Sequence, residues 1–266
     1  MSILALYFDV GITESPVTIS QIPEQVQRMS DSKANSQPTA FVSETERIRE
    51  IFTHRKDPGE GPLDLFRLYE HQDRQQALVR FFRDIGLTSL KGLRILDVGC
   101  GSGGQLRRMN DFGADAADCF GIDLFHGGLA RASKQFPNIT FVQGSAAQLP
   151  FASGEFDLVT LFTVFTSVLD NELRRSIASE IRRALRPGGH FICYDFAYSN
   201  PKNPNVRGMS RREIGALLSG FDLRFQKLTL APPIGRRAAK ISPLLYRVLA
   251  TIPLLRTHYF CFAHKL

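Results

Sequence analysis

The stretch Leu96-Asp97-Val98-Gly99-Cys100-Gly101-Ser102-Gly103-Gly104 decides the fold of this 266-residue chain. An apolar run leads straight into closely spaced glycines. Glycine is required where φ is positive, or where a ligand must approach a backbone that carries no Cβ. A buried strand, a tight turn and the start of a helix satisfy both conditions. In an open α/β sheet such a turn lies at the carboxyl ends of the strands, where ligands collect. About twenty residues further on, a second apolar run ends in Gly121-Ile122-Asp123. A carboxylate at that place can accept both hydroxyl hydrogens of a ribose. Loop and acid together point to a nucleoside-containing cofactor.

Outward from the loop, short runs rich in β-branched and aromatic residues alternate with helical stretches. The runs are RILDVG (94–99), DCFGID (118–123), ITFVQG (139–144), FDLVTLF (156–162) and HFICYDF (190–196). Helices are expected at about 104–112, 127–136, 171–185 and 210–219. Asp170 and Ser210 are placed to cap two of them, and Arg186-Pro187-Gly188-Gly189 reads as a stop. Five alternations predict a parallel sheet with helices on both faces, because parallel strands need crossovers. Two closing strands, 221–230 and 257–265, bracket a basic, proline-marked insert over 231–256. Ahead of the loop, Leu65, Phe66, Tyr69, Leu78, Phe81 and Phe82 mark a helix over 63–84 that Gly86 closes. The Ser43/Glu46 spacing predicts a capping box on an earlier helix. The expected organisation is a flexible leader over 1–42, rich in Ser, Gln, Pro, Thr and Asn, a helical cap over 43–90 and the main domain over 91–266.

With 43% hydrophobic and 22% charged residues, the chain is neither collagen-like nor wholly disordered. Its four cysteines form no CxxC pair, which argues against a zinc cluster or disulfide framework and for a reducing, cytoplasmic compartment. No HxxxH, HxH or carboxylate cluster indicates a metal. No window of 18 apolar residues spans a bilayer, and residues 1–12 lack the basic start of a signal peptide. The net charge of +7, with 25 Arg and 8 Lys, favours anionic partners. The lack of a basic module interleaved with aromatics argues against nucleic acid.

Gly99, Gly101 and Gly104 also satisfy GxGxxG, so an NAD(P)-dependent reductase is an alternative. Asp97 speaks against it: an anion two residues before the first glycine repels a pyrophosphate and suits an ammonium group. The spacing also fits D-x-G-x-G-x-G through Gly103.

Four ordered segments then carry a resemblance. ILDVGCGSGG (95–104), GIDL (121–124), GSAAQLPFASGEFDLV (144–159) and RALRPGGHFICYDF (183–196) are similar to successive motifs of the class I S-adenosylmethionine (SAM)-dependent methyltransferases. The resemblance is to the broad methyltransferase-11-type group that includes the ubiquinone/menaquinone-type enzymes, and it covers residues 63–266. It implies an α/β, Rossmann-like, seven-stranded mixed sheet in the order 3-2-1-4-5-7-6, with the last strand antiparallel and helices on both faces. By position it implies that Gly99, Cys100, Gly101 and Gly103 pack against SAM. Asp97 would face the methionine amino group, directly or through water, and Asp123 the ribose hydroxyls, with Leu124 also at the cofactor. Ser145 and Ala146 would lie by the adenine, with Gln148 in support, since many relatives have Asp where Ser145 stands. Phe162 and Thr163 would border the sulfonium.

The acceptor side is less determined. Where some relatives carry His-His, this chain has Thr166-Ser167, and neither hydroxyl is an effective base near neutral pH. Candidate bases are Asp195, favoured by its place at the end of the fifth strand, His71, Tyr69 and His54. Tyr69 can alternatively pack near the cofactor carboxylate or the sulfonium, where it would be a cation–π partner. Loop 198–208 offers Asn200, Asn203, Asn205 and Arg207 to a polar acceptor, or is a plain connection. The insert over 234–256 either lies in a membrane interface or packs as an amphipathic crossover. The expected acceptor is a small molecule or a glycan, methylated at oxygen; a non-catalytic SAM-binding scaffold is the other reading.

Overall fold

The strands β1 (Ile95–Val98), β2 (Cys119–Asp123), β3 (Thr140–Gln143), β4 (Phe156–Phe162), β5 (Leu185–Phe196), β6 (Phe221–Leu230) and β7 (Arg256–Lys265) form one sheet in the order β3-β2-β1-β4-β5-β7-β6. The first five run parallel, and β7 runs antiparallel to both β5 and β6. The computed structural model describes residues 39–53 and 63–266, with side chains from 43 to 52 and from 63 onward. Residues 1–38 of the expected leader, and His54, lie outside the described residues.

Side chains alternate across the strands with period two, so the sheet buries both faces. Leu96, Val98, Val159 and Leu161 point to one face, where Leu173, Ile177 and Ile181 of α5 (Asn171–Ala184) cover them. Ile95, Leu158, Ile192 and Phe260 point to the other. That face is covered by Leu78, Phe81 and Phe82 of α2 (Leu65–Asp84) and by Leu106 and Met109 of α3 (Gly104–Asp111), while α4 (His126–Gln135) packs beside β2 and β3. Phe81 stacks on Phe262 at 4.2 Å.

The two expected caps form: Asp170 accepts from Leu173 N, and Ser210 makes a full capping box with Glu213 at the start of α6 (Arg211–Leu217). Ser43 does not cap. It lies inside α1 (Thr39–Thr53), which begins four residues before it. The Arg186–Gly189 turn is not a gap before β5 but an excursion within it. Leu185 pairs with Phe156, and pairing resumes with His190 opposite Leu158, Gly188 taking φ +72° in between. The insert is two helices, α7 (Pro232–Ile241) and α8 (Pro243–Ala250). They pack on Phe66 and Tyr69 of α2 as well as on Leu230 at the end of β6.

Candidate functional site

The glycine loop leaves β1 with Gly99, Gly101 and Gly103 at φ +74°, +54° and +77°, a region costly for any residue with a Cβ. Each glycine answers a different demand. A Cβ on Gly99 would come within 2.3 Å of Val164 Cγ2, and one on Gly103 within 2.9 Å of the Phe141 ring. A Cβ on Gly101 would meet nothing within 4 Å, so its bare backbone faces open space. The amides of Gly99 and Cys100 both donate to Ile122 O, at 2.8 and 3.1 Å, which ties the loop to β2. The Cys100 side chain turns inward against Gly121. Burial pushes its thiol far up, so it is filler beneath the loop, not a nucleophile.

Asp123 ends β2 beside the loop. Gly101 N donates to one carboxylate oxygen and Phe125 N to the other, each at 2.8 Å. Each oxygen keeps a second lone pair, enough for two ribose hydroxyls. Burial raises its pKa against those amides. Asp97 is buried beneath the loop and accepts from Thr160 Oγ1 at 2.6 Å. Burial lifts its pKa to about 7, and the Asp123 charge adds to the rise while Thr160 and Arg108 oppose it.

These residues border a hollow of about 360 Å³. The sheet order sets its two ends. Leu124, Ser145 and Ala146 follow β2 and β3 on one side of the loop, and Phe162, Thr163 and Val164 end β4 on the other. Gly99, Gly101 and Asp123 lie between them. Thr163 sits at φ +57°, an outlier for a β-branched residue. It is held there by its N–H to Tyr194 O at 2.7 Å. Of the residues expected at the cofactor, the structure brings Gly99, Gly101, Asp123, Leu124, Ser145, Ala146, Phe162 and Thr163 to the hollow. Asp97, Cys100 and Gly103 support it from beneath and do not line it.

The expected bases fall elsewhere. Asp195 is buried, and its carboxylate accepts from Thr166 Oγ1, from Thr166 N at 3.2 Å and from Phe196 N at 3.0 Å. Burial raises its pKa to about 6 against those bonds. It braces the turn after β4. His71 faces Arg108 at 2.7 Å and Arg74; burial, then the two arginines, bring its pKa down to about 4. Tyr69 packs on Tyr246 at 4.7 Å between ring centroids, on the side of α2 away from the hollow. Asn200 and Asn203 cap local turns by accepting from Lys202 N and Asn205 N. Arg207 N donates to Thr166 O. None of loop 198–208 lines the hollow.

The helical cap expected from the sequence supplies the outer wall, but the sequence reading assigned none of its residues to the site. Thr45, Ile48 and Phe52 of α1 close the hollow opposite the sheet, with Val168, Leu173 and Ile177 beside them. Glu44 fastens α1 down: it accepts from Leu169 N at 2.5 Å and Asp170 N at 3.3 Å, and pairs with Arg47 at 2.7 Å. Arg47 in turn donates to Ser167 O at 2.8 Å. Burial alone would raise the Glu44 pKa, but Arg47 and the two amides outweigh it and hold it low. Among the described residues, no group of side chains could hold a metal ion.

The residues present fit SAM: a bare backbone at Gly101, an acid with spare lone pairs at the ribose position, and a second acid beneath the loop. Residues 96–193 match the family model of a methyltransferase domain. A phthiotriol/phenolphthiotriol dimycocerosates methyltransferase of Mycobacterium leprae is 34% identical over 158 residues, covering 55% of this chain and 57% of that protein. The demethylmenaquinone methyltransferase of Beutenbergia cavernae is 34% identical over 108 residues, covering 40% and 42%. These matches thus span about half the length of the two curated relatives. A SAM-dependent methyltransferase from Mesorhizobium loti has the same fold, with TM-score 0.52 at 22% identity over 70% of this chain and 96% of that one. Residues 96–193 thus match a methyltransferase domain, and the sheet order is that of the SAM-dependent methyltransferase fold.

Proposed function

We propose that the protein transfers a methyl group from SAM to a small acceptor with an apolar body, at an oxygen atom. The observation that carries this reading is the set of apolar side chains Ile48, Phe52, Val164, Val168, Leu173 and Ile177 lining the same hollow as Gly101 and Asp123. SAM bound there supplies an electrophilic methyl on a sulfonium. The chain's own part is binding and alignment. Asp123 holds the ribose, the open backbone at Gly101 admits the cofactor, and Phe162 and Thr163 border the position of the methyl. Holding a nucleophile collinear and close supplies much of the rate in such a displacement.

A sugar ring would leave hydroxyls unpaired against those side chains, at a cost of about 1–3 kcal/mol each. A quinone, phenol or lipid body suits it better, and the names of the two curated relatives point the same way. Among the described lining residues only Asp123 is a carboxylate, and no histidine stands there. A phenol or enol, whose own acidity supplies the oxyanion, therefore fits better than an aliphatic alcohol. The test is transfer of labelled methyl from SAM to a panel of phenols, quinols and glycans, with calorimetry against S-adenosylhomocysteine and NADH. Binding of NADH without S-adenosylhomocysteine would defeat the assignment. Turnover confined to glycans would defeat the acceptor class. Tight S-adenosylhomocysteine binding with no turnover would favour a SAM-binding scaffold.

A further inference from the structure

The β6–β7 connection carries a surface that methyl transfer does not use. One side of α7 and α8 is turned inward, where Ala238, Ala239 and Tyr246 pack on Phe66 and Tyr69. The other side mixes exposed cations with large apolar side chains. Ile241, Leu244 and Val248, and Leu254 just beyond α8, are 73%, 70%, 53% and 86% exposed. Leu244 and Val248 are one helical turn apart and share a face. Single exposed leucines need no explanation; four large apolar side chains between 241 and 254 mark a contact surface.

Its charge is one-sided. No acidic residue follows Asp222, while eight lysines and arginines do. Arg236, Arg237, Lys240 and Arg247 are exposed on the two helices themselves. The nearby acids of α2 are engaged: Glu70 with Arg74 and the Tyr194 hydroxyl, and Asp73 with the Tyr246 hydroxyl at 2.9 Å. The position is also specific. β6 ends with Leu230 paired to Arg256, and β5 with Phe196 paired to His258. The helices therefore leave the sheet at the rim where the parallel strands end and the hollow opens.

We infer that α7, α8 and the turn after them form a docking surface for an anionic lipid bilayer. The apolar side chains enter the interface and the cations lie over the headgroups. The contact is peripheral, because no described helix is long and apolar enough to cross a membrane. A second copy is the poorer occupant: a two-fold contact would set the same cations against each other. The inference goes beyond methyl transfer and does not depend on it.

The experiment is flotation of the full chain with vesicles of phosphatidylcholine alone and of phosphatidylcholine mixed with phosphatidylglycerol. The expected result is flotation with the mixed vesicles only, reversed by high salt. Arg236→Gln with Arg237→Gln should weaken it about tenfold or more, and Leu244→Glu with Val248→Glu should abolish it. Affinity for S-adenosylhomocysteine should not change in either variant. The inference is overturned if the wild type fails to float, floats equally with neutral vesicles, or binds undiminished in both variants. It is also overturned if light scattering shows that Leu244→Glu with Val248→Glu turns a wild-type oligomer into monomers. Failure of S-adenosylhomocysteine to bind even the wild type would instead count against the methyltransferase reading alone.

Discussion

Replacing Asp123 by asparagine tests the cofactor site most directly. The side chain keeps its shape but loses its charge, and one of its two acceptor oxygens becomes an NH2 donor. In the structure both oxygens already take a backbone amide, from Gly101 and Phe125, at 2.8 Å. The new NH2 must therefore face one of those N–H groups and cannot accept from a ribose hydroxyl. A hydrogen bond to a charged group contributes about 1.5–3 kcal/mol. Losing one at the ribose should weaken S-adenosylhomocysteine binding by about 10- to 150-fold. The assay is calorimetric titration of wild type and variant, with thermal unfolding of the free proteins alongside. Because Phe125 N or Gly101 N also loses its acceptor, the variant should melt somewhat lower without ligand. A folded variant that binds the ligand within twofold of wild type would refute the ribose role and the reasoning built on it.

Asp97→Asn should stabilise the ligand-free protein by up to a few kcal/mol at pH 8, with the gain vanishing below about pH 4. Its folded pKa of about 7 lies above the unfolded 3.8. The wild type thus has the full benefit of the proton at low pH and loses it as pH rises through 7. Melting curves of both proteins across that range decide it, and a constant difference would contradict the buried acid. Glu44→Ala releases the amides of Leu169 and Asp170 and should weaken S-adenosylhomocysteine binding about tenfold, with faster hydrogen exchange at those two amides; unchanged exchange would show that α1 is held by other contacts. Thr166→Val leaves the buried Asp195 carboxylate short of its hydroxyl partner and should cost about 1–3 kcal/mol of stability, read from denaturant midpoints. His71→Gln should leave kcat within about threefold of wild type, far from the 10²–10⁴ expected for a general base; a fall of that size would restore His71 to the chemistry.

The glycine loop and Asp123 were legible because their function is local: φ sign, absence of a Cβ and one acid at a strand end can all be read from spacing. The caps at Asp170 and Ser210 are local in the same sense. A helical cap was legible, but not which of its residues line the hollow. Thr45, Ile48 and Phe52 reach the hollow because α1 docks on residues more than seventy positions away, through Glu44 and Arg47 on residues 167–170, Ile48 in the core and Phe52 against Phe125. Asp195 was placed correctly at the rim, but neighbouring side chains on a strand point to opposite faces, and its direction is toward Thr166. Ser43 and Glu46 had the spacing of a capping box, yet the helix starts earlier and Ser43 is interior. Tyr69 and His71 lie on α2, which covers the sheet face away from α1 and α5. Helical periodicity says which side of a helix is apolar, not which face of a sheet it meets.

The place of β7 between β5 and β6 has a consequence for synthesis. Both flanking strands leave the ribosome before the one that joins them, so the sheet stays divided until residues 256–265 have been made. During that interval β5 and β6 each expose a row of unpaired backbone groups, the kind of edge that recruits strands from other chains. A nonsense mutation just before Arg256 would make that interval permanent, and the product should collect in inclusion bodies rather than persist as a shortened enzyme.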